Sequence, residues 1–154
     1  MMKKIISLIM VLISLLSIVP LNAFAVNEVE AAEIIQLENG NYIKVTTETL
    51  AFARVANTVT GSKVYTCYGN YDNVLWKATL TATFAYSGAW YTCTNANCNV
   101  TIYNSHWQVF EKNTVATGSC AITNLTMRMV AEGQVQEVID CEIRLNCDAN
   151  GNIS

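Results

Sequence analysis

The sequence predicts an all-β protein: an antiparallel β-sandwich, Ig-like or closed as a small barrel, stapled by disulfides. Three observations support this fold class. Apolar and polar residues alternate with a period of two in several short segments, turn-forming residues separate those segments, and six cysteines follow an N-terminal export signal. After residue 40, no long segment has the 3.6-residue period of an amphipathic helix. Short alternating segments between turns are typical of sandwiches and small barrels.

The first 25 residues, MMKKIISLIMVLISLLSIVPLNAFA, have the order of a signal peptide. Lys3 and Lys4 precede a short apolar run, and Ala23-Phe24-Ala25 supplies the small residues of a cleavage site. A permanent membrane helix is the alternative, but the apolar core is short for one and a cleavage site closes it. We therefore expect a secreted, extracellular protein that starts at Val26 and keeps no membrane segment after signal cleavage.

Residues 26–41 form an acidic segment ahead of a single domain at residues 42–154. Four glutamates and no basic residue precede Lys44 in the mature chain. We interpret residues 26–41 as a solvated leader with one helical turn that runs into a first strand, or as a short pro-segment removed after export. A first strand is expected at residues 42–46. Residues 49–60 are compatible with a helix, but their threonines and valines favour strands.

The clearest strand runs from Trp76 to Tyr86. Every second residue from Trp76 is apolar, and most of the residues between them are Lys77 or threonines, so one face should pack on a core and the other contact water. Trp76 is expected in that core. Ser87-Gly88 then supplies a turn. Further strands are predicted at residues 90–94, 98–103 and 107–110.

Two long strands are expected at the end of the chain. Residues 121–130 are apolar on both sides, and their alternation slips near Thr123-Asn124, which predicts a bulge or a more buried position. After a turn around Gly133, residues 135–147 alternate cleanly. Cys141 and Cys147 lie on the apolar face of this last strand.

The six cysteines are an even set in an exported chain, so three disulfides are expected. They are Cys67, Cys93, Cys98, Cys120, Cys141 and Cys147. Cys141 and Cys147 lie about 20 Å apart on one predicted strand, and a disulfide tolerates a Cα separation of only about 7 Å. These two must therefore have other partners. Cys93 and Cys98 could pair locally if residues 94–97 formed a hairpin loop, or could serve different bridges.

His106 is the only histidine and therefore the only candidate base for a hydrolase. A catalytic triad would need a nucleophile beside it and a third group to orient it, and no nucleophile elbow is present. A zinc site at Cys93, Cys98 and His106 lacks a second pair of ligands. The stretch from Asp148 to Asn152 has its glycine at the wrong position for a calcium loop and is interpreted as a turn. The sequence thus predicts no enzyme, no metal and no cofactor.

The charge distribution restricts the partners. The formal net charge is −3, and it becomes more negative once the signal lysines are removed. Nucleic acids need clustered positive charge and anionic membranes a basic amphipathic stretch, and the chain has neither. Proteins or glycans are therefore the expected partners. Tyr68 and Tyr71, in the loop YGNYDN, have less reason to be buried than strand aromatics and form the predicted ligand surface.

Three stretches share a pattern: KVYTCYGNYDNVLWKATLTATFAYSGAWYTCT, TIYNSHW and LNCDANGNIS. Their Leu-Trp pair, Thr-rich strand, Phe-x-Tyr-x-Gly end and C-terminal Cys-x-x-x-Gly resemble an uncharacterised family of short secreted proteins from Gram-positive bacteria. The resemblance covers roughly residues 62–154. It implies a bridge between Cys93 and Cys147 that joins the start and the end of the sandwich. The other four cysteines depart from the family pattern, so their pairing stays open, and the resemblance implies no activity.

The predicted function is that of a non-enzymatic binding module at the cell surface or in the extracellular medium. This prediction follows from the disulfide-rich exported domain and from the missing catalytic and metal-binding patterns. The alternative is a secreted antimicrobial or toxin-like effector, with residues 26–41 as its pro-segment.

Overall fold

The structure is a computed structural model that describes residues 28–29, 32–50 and 57–154, with residues 28, 29 and 50 given by their backbone alone. The predicted signal peptide, residues 1–25, lies outside these described residues. Within the described residues every helix or strand element is a β-strand, and all strand pairs are antiparallel. The predicted all-β, antiparallel class is confirmed.

Sheet A is the larger of two sheets and contains six strands. They are β1 (Glu28–Val29), β2 (Glu33–Gln36), β3 (Tyr42–Leu50), β4 (Thr58–Tyr68), β5 (Val74–Tyr86) and β6 (Tyr91–Ile102). Strands β3 to β6 lie side by side in chain order. Strands β1 and β2 both pair with β3, so together they form one edge of the sheet in two pieces.

Sheet B has three strands, in the order β7 (Trp107–Thr117), β8 (Cys120–Ala131) and β9 (Gln134–Asn146). It faces sheet A in a sandwich-like arrangement, with β9 against β4 and β5, and β8 against β5 and β6. Strands β6 and β7 lie next to each other on one side, where Lys112 Nζ donates a hydrogen bond to Cys98 O at 2.7 Å. On the opposite side, the turn between β2 and β3 reaches β9, where the Asn39 and Asn41 side-chain amides donate to the Glu137 carboxylate.

A single core lies between the two sheets. The inward face of β5 is fully buried and includes Trp76, Leu80 and Phe84. These side chains share one hydrophobic cluster with sheet B residues such as Leu125 and Ile143. The prediction that Trp76 lies in the core is confirmed. The alternation of Thr and apolar residues explains why β5 can sit in the middle of a sheet with one polar face.

Strand β6 differs from the sequence prediction. Two strands were expected, at residues 90–94 and 98–103, but residues 91–102 form one continuous strand. Thr83 pairs with Asn95 and Phe84 with Cys93, so Thr94 is the extra residue of a bulge. The Thr94 hydroxyl donates to Thr83 O at 3.0 Å and fixes that irregularity. A hairpin loop at residues 94–97 does not form, and a local bridge between Cys93 and Cys98 is therefore excluded.

The predicted irregularity of β8 has a different origin. The pairing of β8 with β9 is regular at Thr123 and Asn124 and shifts only between Met129 and Val130. Thr123 points into the core with no exposed surface, and its hydroxyl shares a hydrogen bond with the Thr114 hydroxyl at 2.9 Å. A bulge at this point was the wrong alternative, and a more buried position was the right one. The polar residue is accepted because its hydroxyl has a partner.

The described part of the acidic segment is strand and turn. Residues 33–36 pair with residues 42–45 of β3, and a turn at residues 37–41 joins the two strands. The helical turn expected for this segment is therefore absent from its described residues. Residues 49–60 are strand at 49–50 and 58–60, since β3 continues to Leu50 and β4 starts at Thr58, and Asn57 is a turn residue.

Candidate functional site

The loop between β4 and β5, residues 69–73, presents the tyrosine that the sequence singled out. Tyr71 is 94 % exposed. The loop backbone is nevertheless fixed, because Gly69 N–H donates to Asn73 O at 2.9 Å and Asp72 N–H donates to Gly69 O at 3.0 Å. Asp72 has a φ of 59°, in the left-handed region that residues other than glycine seldom adopt. Such strained positions concentrate at functional sites.

A pair of stacked tyrosines supports this loop. Tyr42 of β3 and Tyr68 of β4 lie opposite each other in the ladder, and their ring centroids are 4.9 Å apart with an interplanar angle of 10°. The Tyr42 hydroxyl donates to Asp72 Oδ1 at 2.9 Å. That hydrogen bond raises the pKa of the Tyr42 phenol above its ordinary value. We call Tyr42, Tyr68, Tyr71 and Asp72 the tyrosine surface.

Two exposed asparagines border the tyrosine surface. The Asn70 side chain lies against Gly40, whose φ of 86° suits glycine, and the Asn73 side chain lies over Gly69. Both Tyr68 and Tyr71 were predicted to lie in the loop, but Tyr68 is the last residue of β4 and is half-buried, and only Tyr71 lies in the loop. Tyr42 and Asp72 were not among the predicted residues. Only the register of β3 against β4 brings Tyr42 next to this loop, and the sequence gives no direct signal of that register.

The six cysteines are free thiols in this structure and fall into two spatial groups. In the first group, Cys93 lies close enough to Cys120 and to Cys147 for their charges to interact. In the second group, the same holds for Cys141 with Cys67 and with Cys98. Burial raises the pKa of Cys67 and Cys141 to about 12 and that of Cys147 to about 11. As thiols, these groups are protonated and unreactive at neutral pH.

Within the first group, Cys93 of sheet A and Cys147 at the end of sheet B both face the space between the two sheets. Cys93 lies on the inward face of β6, opposite Phe84, and Cys147, directly after β9, is buried; their backbone N–H groups donate to the adjacent carbonyls of Gly118 and Ser119 at 2.6 and 3.2 Å. Cys120 lies on the outward face of β8, where Arg144 Nη1 donates to its sulfur at 3.8 Å. Cys147 is thus better placed than Cys120 to meet Cys93.

Within the second group, Cys67 and Cys141 occupy inward-facing positions on β4 and β9, two strands that pack against each other. Cys98 lies on β6, and no Cα atom of β6 is within 8 Å of a Cα atom of β9. A disulfide needs Cα atoms within about 7 Å, so Cys98 is out of reach of Cys141.

The histidine and the tail take turn positions. His106 is exposed; its backbone N–H donates to Asn104 Oδ1 at 2.9 Å, and its carbonyl accepts the Val130 N–H at 2.8 Å. Cys93 and His106 lie near opposite ends of β6. The Asp148 carboxylate accepts the Asn150 and Asn152 N–H groups at 2.8 and 2.9 Å, so the predicted turn is confirmed. Among the described residues, no three His, Cys, Asp or Glu side chains converge as metal ligands would.

Comparisons with protein-family models, with curated proteins and with solved structures found no match for this chain. In the part of the chain that the structure describes, no helix has the length and apolar character to cross a membrane.

Proposed function

We propose that this chain is a secreted, non-enzymatic binding module whose tyrosine surface binds a glycan of the cell wall or the surrounding medium. The observation that carries the proposal is Tyr71, a tyrosine 94 % exposed on a loop whose backbone is fixed by hydrogen bonds. A large apolar ring held in water by a rigid and locally strained loop gains nothing for folding. A ligand that covers the ring would gain from it, because the loop is already ordered.

A glycan fits the chemistry of this surface. Tyrosine combines a flat apolar face with a polar hydroxyl and loses little conformational freedom on binding. A sugar ring likewise combines an apolar C–H face with hydroxyl groups. Asn70 and Asn73 beside Tyr71 offer amide donors and acceptors for those hydroxyls. Few ionic side chains stand in the loop, which suits a neutral ligand.

We expect Tyr71→Ala to weaken binding to purified cell-wall polysaccharide about tenfold or more, the loss of one well-placed aromatic contact. The measurement is co-sedimentation of the protein with insoluble wall material at a series of concentrations. Tyr71 touches no core residue, so the thermal unfolding midpoint should not change.

Tyr103→Ala is the matched control, because Tyr103 is 60 % exposed and lies on the loop that follows β6 at the same end of the sheets. It removes the same ring without touching the tyrosine surface and should leave binding unchanged. Equal losses for both variants, or no binding by the wild type, would contradict the proposal.

We further propose that the exported protein carries two disulfides, Cys93–Cys147 and Cys67–Cys141, and that Cys98 and Cys120 remain thiols. Each bridge forms by thiol–disulfide exchange, in which two thiols give up two protons and two electrons to the disulfide of a protein oxidant outside the cell, and that disulfide becomes a dithiol. A third bridge between Cys98 and Cys120 is disfavoured because Cys98 is buried on the inward face of sheet A, while Cys120 lies on the outward face of sheet B.

Export itself is expected to leave a chain that begins at Val26. The intact mass of the protein recovered from culture medium checks this prediction. A mass equal to that of the chain with residues 1–25 would contradict signal cleavage. A mass equal to that of a chain that begins near residue 42 would show that residues 26–41 are a pro-segment. That second cleavage would remove β2 and leave the edge of β3 unpaired.

A further inference from the structure

Strand β9 lies at an edge of sheet B. The hydrogen bonds of the C-terminal tail show which backbone groups of β9 point away from β8. Among the described residues, β8 is the only strand paired with β9. Asn146 and Ser154 exchange two backbone hydrogen bonds, of 2.8 and 3.1 Å, whereas Cys147 N–H donates to Ser119 O, at the start of β8. Backbone groups alternate sides along a strand, so the N–H and C=O groups of even-numbered β9 residues point away from β8.

Between Glu137 and Asn146, where Ser154 pairs, no described strand pairs with this edge of β9. The register between β8 and β9 is unbroken from Asn146 to Glu137, so the alternation holds throughout this stretch. The outward backbone groups therefore belong to Val138, Asp140, Glu142 and Arg144. One of their carbonyls, that of Glu142, accepts the Tyr65 hydroxyl at 3.3 Å. An open edge of this length is a template for another strand.

Acidic side chains surround the open edge. A groove of about 370 Å³ between β9 and the turn before β3 is lined by Glu38, Glu137 and Asp140 among other residues. A second groove, of about 280 Å³, lies over the outward face where β8 pairs with β9 and is lined by Asp140 and Glu142 among other residues. Neither groove is lined by a lysine or arginine, and the Arg144 guanidinium forms an ion pair with the Glu142 carboxylate at 3.1 Å.

We propose that this edge binds an extended basic segment of another protein, which adds to sheet B as a fourth, antiparallel strand. Its lysines or arginines would lie at every second position, opposite Asp140 and Glu142, where opposite charges across a strand pair are favourable. The acidic edge discourages chance pairing. A second copy of this chain is a poorer occupant, because an antiparallel β9 pair centred between Asp140 and Glu142 places acid opposite acid.

The test uses the intact oxidised protein and fluorescent nine-residue peptides that alternate lysine and valine. Bound in the proposed register, the lysines direct their backbone N–H groups to β9 and the valines direct theirs away. N-methylation of the lysine nitrogens should weaken binding about tenfold or more, because it removes the donors that face β9. N-methylation of the valine nitrogens is the matched control and should change the affinity by less than about twofold.

Two further measurements separate the alternatives. Replacing the peptide lysines with glutamates should abolish binding, and Asp140→Asn combined with Glu142→Gln should weaken it several-fold while the far-UV circular dichroism stays unchanged. If N-methylation of the lysine and of the valine nitrogens had equal effects, the peptide would be bound by charge attraction without backbone pairing. That result would overturn the strand-addition proposal. No binding of the lysine peptide, or a protein dimer in sedimentation that the Asp140→Asn and Glu142→Gln changes strengthen, would also overturn it. The tyrosine surface takes no part in this test, so Tyr71→Ala should bind the peptide normally.

Discussion

In the oxidised protein, Cys93→Ser or Cys67→Ser should each lower the free energy of unfolding by about 2–4 kcal/mol. Each substitution removes one of the two proposed bridges and restores the freedom of a long loop in the unfolded chain. The Cys93–Cys147 bridge ties β6 to the end of β9, and the Cys67–Cys141 bridge ties β4 to the middle of β9. Urea unfolding, followed by far-UV circular dichroism with and without reductant, measures the effect.

Cys120→Ser is the matched control, because Cys120 has no proposed partner. Its free energy of unfolding should stay close to that of the wild type in the oxidised protein. Under reductant, the wild type should fall to the level of a variant with both bridges removed. A destabilised Cys120→Ser protein that loses its response to reductant would instead assign Cys120 to a bridge.

The number of reactive thiols gives an independent check. The denatured wild type should take up two equivalents of alkylating reagent, on Cys98 and Cys120, and its intact mass should be four hydrogens below that of the reduced chain. No uptake of reagent would mean three bridges. One of them would then join Cys98, on the inward face of sheet A, to Cys120, on the outward face of sheet B. Uptake by all six cysteines would contradict disulfide stapling altogether.

The reduced protein should also lose stability at alkaline pH. Burial raises the pKa of Cys67 and Cys141 from about 9 to about 12, so the folded state holds these protons to higher pH than the unfolded state does. Their contribution to stability is complete below about pH 9 and is lost as the pH rises towards 12, because the unfolded chain releases its protons first. The oxidised protein, in which these sulfurs do not titrate, should lack this loss. Urea unfolding at pH 8 and pH 10.5 compares the two forms.

The fold class could be predicted because period-two alternation is a local property. Strand β5 shows it most clearly, with threonines on one face and Trp76 to Phe84 on the other. Strand β6 was split in the prediction because the bulge at Thr94 shifts the alternation by one residue, as a turn would. Thr123 looked like an irregularity because a threonine on a core face breaks the apolar pattern, although its hydrogen bond to Thr114 makes the position regular.

The candidate site was less predictable because it depends on contacts between distant parts of the chain. Tyr71 could be predicted from its loop composition alone. Tyr42 joins it through the register of β3 and β4, and Asp72 joins it through the hydrogen bond that this register allows with Tyr42. The cysteine partners likewise depend on which strands face each other across the core. Spacing along the chain could exclude a bridge between Cys141 and Cys147, but could not choose between Cys67 and Cys98 for Cys141.

Trp76→Ala should lower the free energy of unfolding by about 3–5 kcal/mol, the range for removing a large aromatic side chain from a core. Trp76 has no exposed surface, and its ring centroid lies 6.4 Å from that of Trp107 with an interplanar angle of 57°. The substitution leaves a cavity between the two sheets and removes this aromatic contact. Trp90→Ala is the control: Trp90 is 54 % exposed, so the change should stay within about 0.5 kcal/mol.

Trp76→Phe separates the volume of the ring from its polar atom. Trp76 Nε1 is buried, and no hydrogen-bond partner is found for it among the described residues. Replacing the indole with a phenyl ring therefore removes an unsatisfied donor and costs no hydrogen bond. We expect Trp76→Phe to lower the free energy of unfolding by clearly less than Trp76→Ala does, measured by urea unfolding with far-UV circular dichroism. If Trp76→Ala fails to fold, Trp76→Leu takes its place in the comparison. A Phe variant as unstable as the Ala variant would contradict this expectation.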